Sequence, residues 1–152
     1  VVYVKIRELA GVSLEKISAT LERICLQCDY HDSPDCKQSA CLVGFSRKVL
    51  AYAGQKGMLD IPGAHTLIPR GDFKPYYPET VAPVLAETCR QCKECRDNHN
   101  PDCVVALVRT SMENTVLSEN INYPGSVFMY LAMVKEQHPE LAALLAGELK
   151  KK

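Results

Sequence analysis

Apolar side chains recur at helical spacing in four stretches between residues 13 and 119, and each stretch predicts an amphipathic helix. The first helix is expected to begin after an N-cap at Ser13, and the third after an N-cap at Thr80, with Pro83 tolerated in its first turn. The predicted inward-facing residues are Leu14, Ile17, Leu21 and Ile24 in the first helix, Leu42, Phe45, Val49 and Leu50 in the second, Val81, Val84, Leu85 and Thr88 in the third, and Val105, Val108, Met112 and Val116 in the fourth. The pattern therefore predicts a mainly α-helical protein.

The second and fourth helices share a distinctive start. Residues 33–36 read Ser-Pro-Asp-Cys and residues 100–103 read Asn-Pro-Asp-Cys, so each combines an N-cap residue, a proline suited to the first helical position and an acid that complements the helix dipole. These starts are expected to place Cys36 and Cys103 in the first turn of a helix, where free backbone N–H groups favour a thiolate. A thiolate is the form of cysteine that binds a metal.

Prolines and glycines interrupt residues 54–79, which predicts an extended connector after the second helix ends near Ala53, with Gly54 as its stop. Two short strands are expected in the connector, at residues 58–61 and 66–68. Beyond residue 124, two further helices are predicted, one capped by Ser126 and one from Pro139 to Leu149. Their apolar side chains are expected to complete the core, and residues 124–149 are also a candidate homo-oligomer interface.

The cysteines repeat at a constant offset of 67 residues, because Cys25-x2-Cys28-x7-Cys36 recurs as Cys92-x2-Cys95-x7-Cys103. The other identities at this offset are Pro34 with Pro101, Asp35 with Asp102, Val49 with Val116 and Leu50 with Leu117. This predicts a pseudo-two-fold repeat of a helix–CxxC–loop–Cys–helix unit. The expected single domain, 1–152, consists of repeat 1 (13–53), the connector (54–79), repeat 2 (80–119) and a helical tail (124–152).

Each repeat supplies three equivalent cysteines, and a closed metal site needs a fourth ligand. The candidates for that position are Cys41 in the first repeat and Cys89 in the second. The predicted metal ligands are Cys25, Cys28, Cys36 and Cys41 in one site and Cys89, Cys92, Cys95 and Cys103 in the other. Two alternatives stay open: Cys41 aligns with the apolar Val108 and could be a small buried residue, and the loop histidines His31 and His99 could be the fourth ligands.

Two cofactors fit these cysteines. The spacing Cys89-x2-Cys92-x2-Cys95 favours [4Fe–4S] clusters, because each sulfur can bind a different iron of the cubane. The charged residues between and beside these cysteines favour an exposed structural zinc instead. The ferredoxin order C-x2-C-x2-C-x3-C-P is absent from both repeats. Two [4Fe–4S] clusters are therefore the expectation, with two zinc ions as the alternative.

Composition limits the compartment in which the protein is expected to work and the classes of partner it is expected to bind. Acidic and basic residues number 18 each, so no net charge recruits nucleic acid or an anionic membrane. No apolar run approaches the ~20 residues of a transmembrane helix, and residues 1–7 alternate like a short strand and lack the features of a signal peptide. Eight cysteines clustered in two groups favour metal binding in a reducing cytoplasm over disulfides.

The sequence contains no Gly-rich phosphate loop, G-x-S-x-G or H-E-x-x-H motif. His65 and Asp72 in the connector are interpreted as surface residues, and Asp35 and Asp102 as first-turn acids. The expected function is therefore electron transfer rather than catalysis, as a small subunit or accessory of a redox enzyme. The alternatives are a zinc-stabilised structural or regulatory adaptor that binds a protein partner, and a sensor whose thiols oxidise reversibly.

Overall fold

The computed structural model describes residues 8–9, 12–28, 34, 36, 40–72, 76–91 and 101–151. Two short strands, β1 (Glu8–Leu9) and β2 (Val12–Ser13), pair antiparallel. The described helices are α1 (Leu14–Leu26), α2 (Leu42–Lys56), α3 (Pro78–Gln91), α4 (Val104–Val116), α5 (Val127–Gln137) and α6 (Pro139–Leu149). The prediction of a mainly α-helical protein is confirmed. Among these helices, none has both the length and the apolar character needed to cross a membrane.

Helix α1 forms where its pattern predicts. The Ser13 hydroxyl accepts a hydrogen bond from the Lys16 backbone N–H at 3.4 Å, which caps the helix. The four predicted inward residues of α1 are buried, as are those of α3. Helix α3 begins at Pro78, two residues before the predicted Thr80 cap. Proline suits this position because the first N–H of a helix has no partner inside the helix.

The start of α2 differs from the prediction, because the helix begins at Leu42 with Cys41 as its N-cap residue. Cys36 is exposed and lies outside the helix, so its predicted place in the first turn is wrong. The physical reason is that hydrogen-bond acceptors lie at the later start. Asp72 Oδ2 accepts from the Leu42 N–H at 2.9 Å, and Cys41 Sγ accepts from the Gly44 N–H at 3.4 Å.

Helix α4 also begins later than predicted, at Val104, with Cys103 as its N-cap residue in an extended conformation. The connector holds it there. The Val104 N–H donates to the Leu59 carbonyl at 2.8 Å, and the Ile61 N–H donates to the Asp102 carbonyl at 3.0 Å. This pairing with the connector keeps residues 102–103 extended, so Cys103 lies just before the helix, as its N-cap residue without a side-chain cap hydrogen bond, and not in its first turn.

The connector contains less strand than predicted. Its first expected strand is reduced to one bridge, between Asp60 and Cys103. The second is wrong, because Ala64–Leu67 forms a 3-10 helix, in which the Thr66 N–H donates to the Gly63 carbonyl at 3.2 Å. Gly63 has a φ of 80°, and this left-handed conformation turns the chain into the 3-10 helix.

The predicted stop of α2 at Gly54 is also wrong, since the helix continues to Lys56 and ends at Gly57, with a φ of 65°. Changing Gly57 to alanine should lower the free energy of unfolding by about 1 kcal/mol, because a Cβ is disfavoured in the left-handed conformation. No atom lies within 4 Å of the added Cβ, so only the backbone penalty applies. Urea denaturation followed by circular dichroism would measure it.

The matched control for this prediction is Gly147, which lies inside α6 with equal space around it. Gly147→Ala should raise the free energy of unfolding by about 0.5–1 kcal/mol, because alanine is the better helix former. The same sign for both variants would contradict the assignment of Gly57 as a left-handed helix cap.

The first four helices form two antiparallel pairs. Helix α1 contacts α2 and α3, and α4 contacts the same two helices. The Ser13 N–H at the start of α1 donates to Gln91 Oε1 at the end of α3, at 2.8 Å, so α1 and α3 run in opposite directions. Asp60, just beyond the end of α2, bridges to Cys103 at the start of α4, so these two helices are antiparallel as well. The ends of α1 and α3 therefore lie at opposite ends of the bundle, about one helix length or ~20 Å apart for 13 residues.

The tail helices pack on one side of this bundle, with α6 against α3 and α5 against α6. Helix α6 spans the predicted residues, and His138 Nδ1 caps it by accepting from the Leu141 N–H at 3.1 Å. The buried residues of the tail are Tyr130, Val134, Leu141, Ala142 and Leu145. The prediction that the tail completes the core is confirmed, although Phe128 is 85% exposed.

Candidate metal centres

Three of the predicted ligands of the first site lie at the junction of α1 and α2. Cys25 is in the last turn of α1, and Cys28 follows the helix in a turn in which its N–H donates to the Cys25 carbonyl at 3.1 Å. Cys41 caps the start of α2. All three are partly buried, whereas the fourth predicted ligand, Cys36, is exposed.

The electrostatic surroundings of Cys25 include Arg47 and the two other thiols. Burial raises the pKa of the Cys25 thiol, and the negative charges that Cys41 and Cys28 would carry raise it further, while a hydrogen bond from Arg47 opposes both. Burial therefore favours the protonated form of the Cys25 thiol, and the positive charge of Arg47 opposes it. A bound metal ion would add positive charge beside this thiol.

Connector residues hold Cys41 in place. Its Sγ lies 3.5 Å from the Tyr76 hydroxyl, which donates to Asp72 Oδ2 at 2.5 Å. Burial and this hydrogen bond raise the pKa of Tyr76, so the phenol stays protonated. Because the same Asp72 oxygen caps Leu42, the predicted surface role of Asp72 is wrong. No motif in the sequence signals this contact, since Tyr76 is 35 residues from Cys41.

The second site is described in part. Cys89 lies near the end of α3 and Cys103 is the residue just before α4, and both are buried, at 5% and 6% exposure. The remaining predicted ligands, Cys92 and Cys95, lie outside the described residues. The alternative fourth ligands of the two sites, His31 and His99, lie outside them as well.

Asp102 does not act as the predicted first-turn acid of α4. Its Oδ1 lies 2.6 Å from His65 Nδ1 and accepts from the His65 backbone N–H, while its Oδ2 accepts from the Gly63 N–H. The hydrogen bond from His65, followed by the two backbone N–H groups, lowers the pKa of Asp102 to about 2. The Asp102 side chain thus ties the connector to the start of α4. His65 lies at the surface, as predicted, and is bound to this carboxylate.

Cys41 and Cys103 are both N-cap residues, of α2 and α4 respectively, although only the Cys41 side chain accepts a cap hydrogen bond. Both are followed by similar residues, Leu-Val-Gly-Phe-Ser-Arg in α2 and Val-Val-Ala-Leu-Val-Arg in α4. The preceding helices also end alike in sequence, with Cys-Leu-Gln-Cys from Cys25 and Cys-Arg-Gln-Cys from Cys89. Cys36 and Cys103, which the offset of 67 pairs, differ in both burial and conformation.

The described residues bring thiols together without completing a metal site. Across the described ranges, no three His, Cys, Asp or Glu side chains are close enough to hold an ion together. No protein-family model, curated protein or solved structure compared with the chain matches it. The case for the two centres therefore rests on the positions and chemistry of the cysteines.

Proposed function

We propose that the protein binds metal at two four-cysteine sites, one at each end of the helical bundle. The observation that supports this proposal is the placement of Cys25, Cys28 and Cys41 at the junction where α1 ends and α2 begins. None of the six described cysteines is in a disulfide. Thiols that are neighbours, positioned by two helix ends and not bonded to each other suit metal ligation better than a structural cross-link.

The two halves are proposed to form a pseudo-two-fold repeat with a corrected pairing. Aligning the helix ends pairs Cys25 with Cys89 and Cys28 with Cys92, and aligning the helix starts pairs Cys41 with Cys103. Cys36 and Cys95 are the remaining cysteine of each half and do not align with each other. The antiparallel directions of α1 with α3 and α2 with α4 support this symmetry. The ligand sets are those predicted from the sequence, but Cys41 and Cys89 are no longer exceptional positions, because each has an equivalent in the other half.

A [4Fe–4S] cluster is the proposed occupant of each site, and cytoplasmic electron transfer is the proposed activity. The Cys89-x2-Cys92-x2-Cys95 spacing supports a cubane, and Arg47, whose presence opposes the rise in the pKa of Cys25, is a charged neighbour of the kind that tunes the reduction potential of a cluster. If cysteines ligate every iron, none is open to substrate, so the protein would carry electrons for a redox enzyme and not perform the chemistry itself.

A zinc-stabilised adaptor is the second candidate, and the spacing between the sites favours it. Each site joins the end of one helix to the start of the next, and the two junctions lie ~20 Å apart for helices of 13 residues. This arrangement suits two independent structural ions. In that case chelation should unfold the protein, because the energy of metal binding is part of the folding energy.

Both proposed functions, the electron carrier and the zinc-stabilised adaptor, require a protein partner. The segment 124–149 is the proposed contact with a second copy of the chain, and its exposed Phe128 and Met129 on α5 support that assignment. No nucleic acid or membrane partner is proposed, because acidic and basic residues balance.

Metal analysis by mass spectrometry, with an absorption spectrum of anaerobically purified protein, tests the proposal. We expect about eight iron atoms per chain and a broad visible absorbance if both sites hold [4Fe–4S] clusters. About two zinc atoms per chain in a colourless protein would establish the adaptor instead. The control is protein unfolded in chelator and refolded without metal. A native chain that is purified without either metal and binds neither on reconstitution would overturn the proposal.

A further inference from the structure

Helix α1 ends in a tight turn that contains both cysteines of the first Cys-x2-Cys pair. The Gln27 N–H donates to the Ile24 carbonyl at 3.2 Å, and the Cys28 N–H donates to the Cys25 carbonyl at 3.1 Å. Gln27 has a φ of −95° and a ψ of −2°, which are the values of the third residue of a type I turn. Cys25 and Cys28 are therefore the first and last residues of a hydrogen-bonded turn.

This turn meets the backbone requirement for a disulfide. The Cα atoms at the two ends of such a turn lie less than about 7 Å apart. A disulfide usually joins Cα atoms that are about 4.4–6.8 Å apart. Side chains three residues apart also lie on the same side of a tight helical turn. The Cys25 and Cys28 sulfurs can therefore meet by rotation of their side chains, without movement of α1.

The turn is anchored on one side and open to solvent on the other. Ile24 is 7% exposed and fixes the turn to the core, whereas Leu26 is 63% exposed and Gln27 is exposed as well. Cys25 and Cys28 are partly buried, and neither is in a disulfide. A small thiol or disulfide can therefore reach the pair while the protein stays folded.

The third thiol near this turn, that of Cys41, is held by other contacts. Its Sγ accepts from the Gly44 N–H at 3.4 Å and lies 3.5 Å from the Tyr76 hydroxyl. A bond from Cys41 to Cys25 would take the sulfur away from both groups. A bond between Cys25 and Cys28 breaks neither contact, so the structure favours the pair within the turn.

We propose that Cys25 and Cys28 form a reversible thiol–disulfide exchange couple, with a low-molecular-weight disulfide such as oxidised glutathione as the oxidant. One cysteine thiolate attacks the S–S bond of the oxidant, which forms a mixed disulfide and releases one reduced glutathione. The second cysteine loses its proton and displaces the other glutathione, which leaves as a thiol. The chain thus gives up two electrons and two protons, and the oxidant takes up both. This inference does not depend on the proposed function, because the exchange needs no metal.

Equilibration of the native chain with mixtures of oxidised and reduced glutathione tests the inference. The remaining thiols are alkylated, and the chain is digested with trypsin. Cys25, Cys28 and Cys36 then lie in the peptide 24–37, and Cys41 lies in the peptide 38–47. We expect the peptide 24–37 to be lighter by two hydrogens, alkylated only at Cys36 and not linked to 38–47. Excess reduced glutathione should restore its two thiols.

Two matched variants and one comparison sharpen this result. Cys25→Ser and Cys28→Ser should each lose the internal disulfide and keep glutathione bound to the remaining cysteine of the pair. The folded wild-type chain should be half oxidised at a ratio of squared reduced to oxidised glutathione concentration at least about tenfold higher than in concentrated urea, because the turn holds the two thiols together. Circular dichroism of the oxidised chain would confirm that it is folded.

Three results would overturn the inference: a disulfide that links 24–37 to 38–47, mixed disulfides alone in the wild type, or equal ratios for the folded and unfolded chains. Metal analysis of the same samples separates the two proposals. A chain that holds its metal and forms no disulfide would overturn this inference alone. A chain that forms the disulfide and binds no metal would refute the proposed function alone.

Discussion

Changing Cys41 to serine should halve the metal content of the protein, and changing Cys103 to serine should do the same at the other site. Serine keeps an oxygen acceptor at the N-cap, so the Gly44 N–H that Cys41 Sγ now binds retains a partner. The hydroxyl is a poor ligand for iron in clusters or for structural zinc, both of which select thiolates. Metal analysis by mass spectrometry would measure the loss.

Double variants test how the cysteine ligands are divided between the two proposed sites. Cys36→Ser combined with Cys41→Ser should lose one site only, because both residues belong to the first set. Cys36→Ser combined with Cys103→Ser should lose both. Full metal content in Cys41→Ser would show that Cys41 is a small buried residue, and would move the fourth ligand of the first site to His31.

Glu113→Gln should lower the free energy of unfolding by about 3 kcal/mol, because three donors converge on this carboxylate in the core. Glu113 is 1% exposed. Its Oε2 accepts from the Tyr130 hydroxyl at 2.6 Å, and its Oε1 accepts from Asn120 Nδ2 at 3.1 Å and from the Ile121 N–H at 3.0 Å. An amide must turn its own NH2 group toward one of these donors. Urea denaturation measures the change.

Two controls separate the carboxylate from its neighbours. Tyr130→Phe removes one donor and leaves the carboxylate two, so it should cost about 1 kcal/mol. The second control is pH. Burial raises the pKa of Glu113 above 4.5, although the hydrogen bonds from Tyr130, Ile121 and Asn120 oppose it. A raised pKa means that the folded state holds this proton more tightly than the unfolded state.

The sign of the pH effect follows. As pH rises from 4.5 through the raised pKa, the wild type should lose the stability that this proton contributes, and Glu113→Gln should lack that loss. A variant as stable as the wild type, with an unchanged pH profile, would show that the carboxylate does not hold the loop after α4.

The sequence predicts correctly those features that depend on residues close together in the chain. Helix α1 and helix α6 lie where their caps and apolar spacing predict, because Ser13 and Pro139 act on groups within one turn. The starts of α2 and α4 were not readable, since Asp72 and Leu59, which satisfy their first N–H groups, come from the connector. A local cap cannot outweigh acceptors that the fold brings in from elsewhere.

The same distinction applies to the candidate sites, where contacts between residues close in sequence are predictable and contacts between helices are not. The grouping of Cys25 and Cys28 was evident because two cysteines three residues apart at a helix end are close in space. The hydrogen bond from Arg47 was not, because it depends on how α2 packs on α1. The proposed correspondence of Cys41 with Cys103 depends on the helix boundaries. The segment from the second cysteine of the pair to the N-cap residue is two residues longer in the first half, which shifts the offset between the residues that this proposal matches.

The antiparallel directions of α1 and α3 have an electrostatic consequence. The ~20 Å between the two junctions is about twice the Debye length at physiological ionic strength. If each junction holds an ion as proposed, a change of charge at one junction is largely screened before it reaches the other. The bundle between the junctions would then act as a spacer that lets the two sites change charge independently.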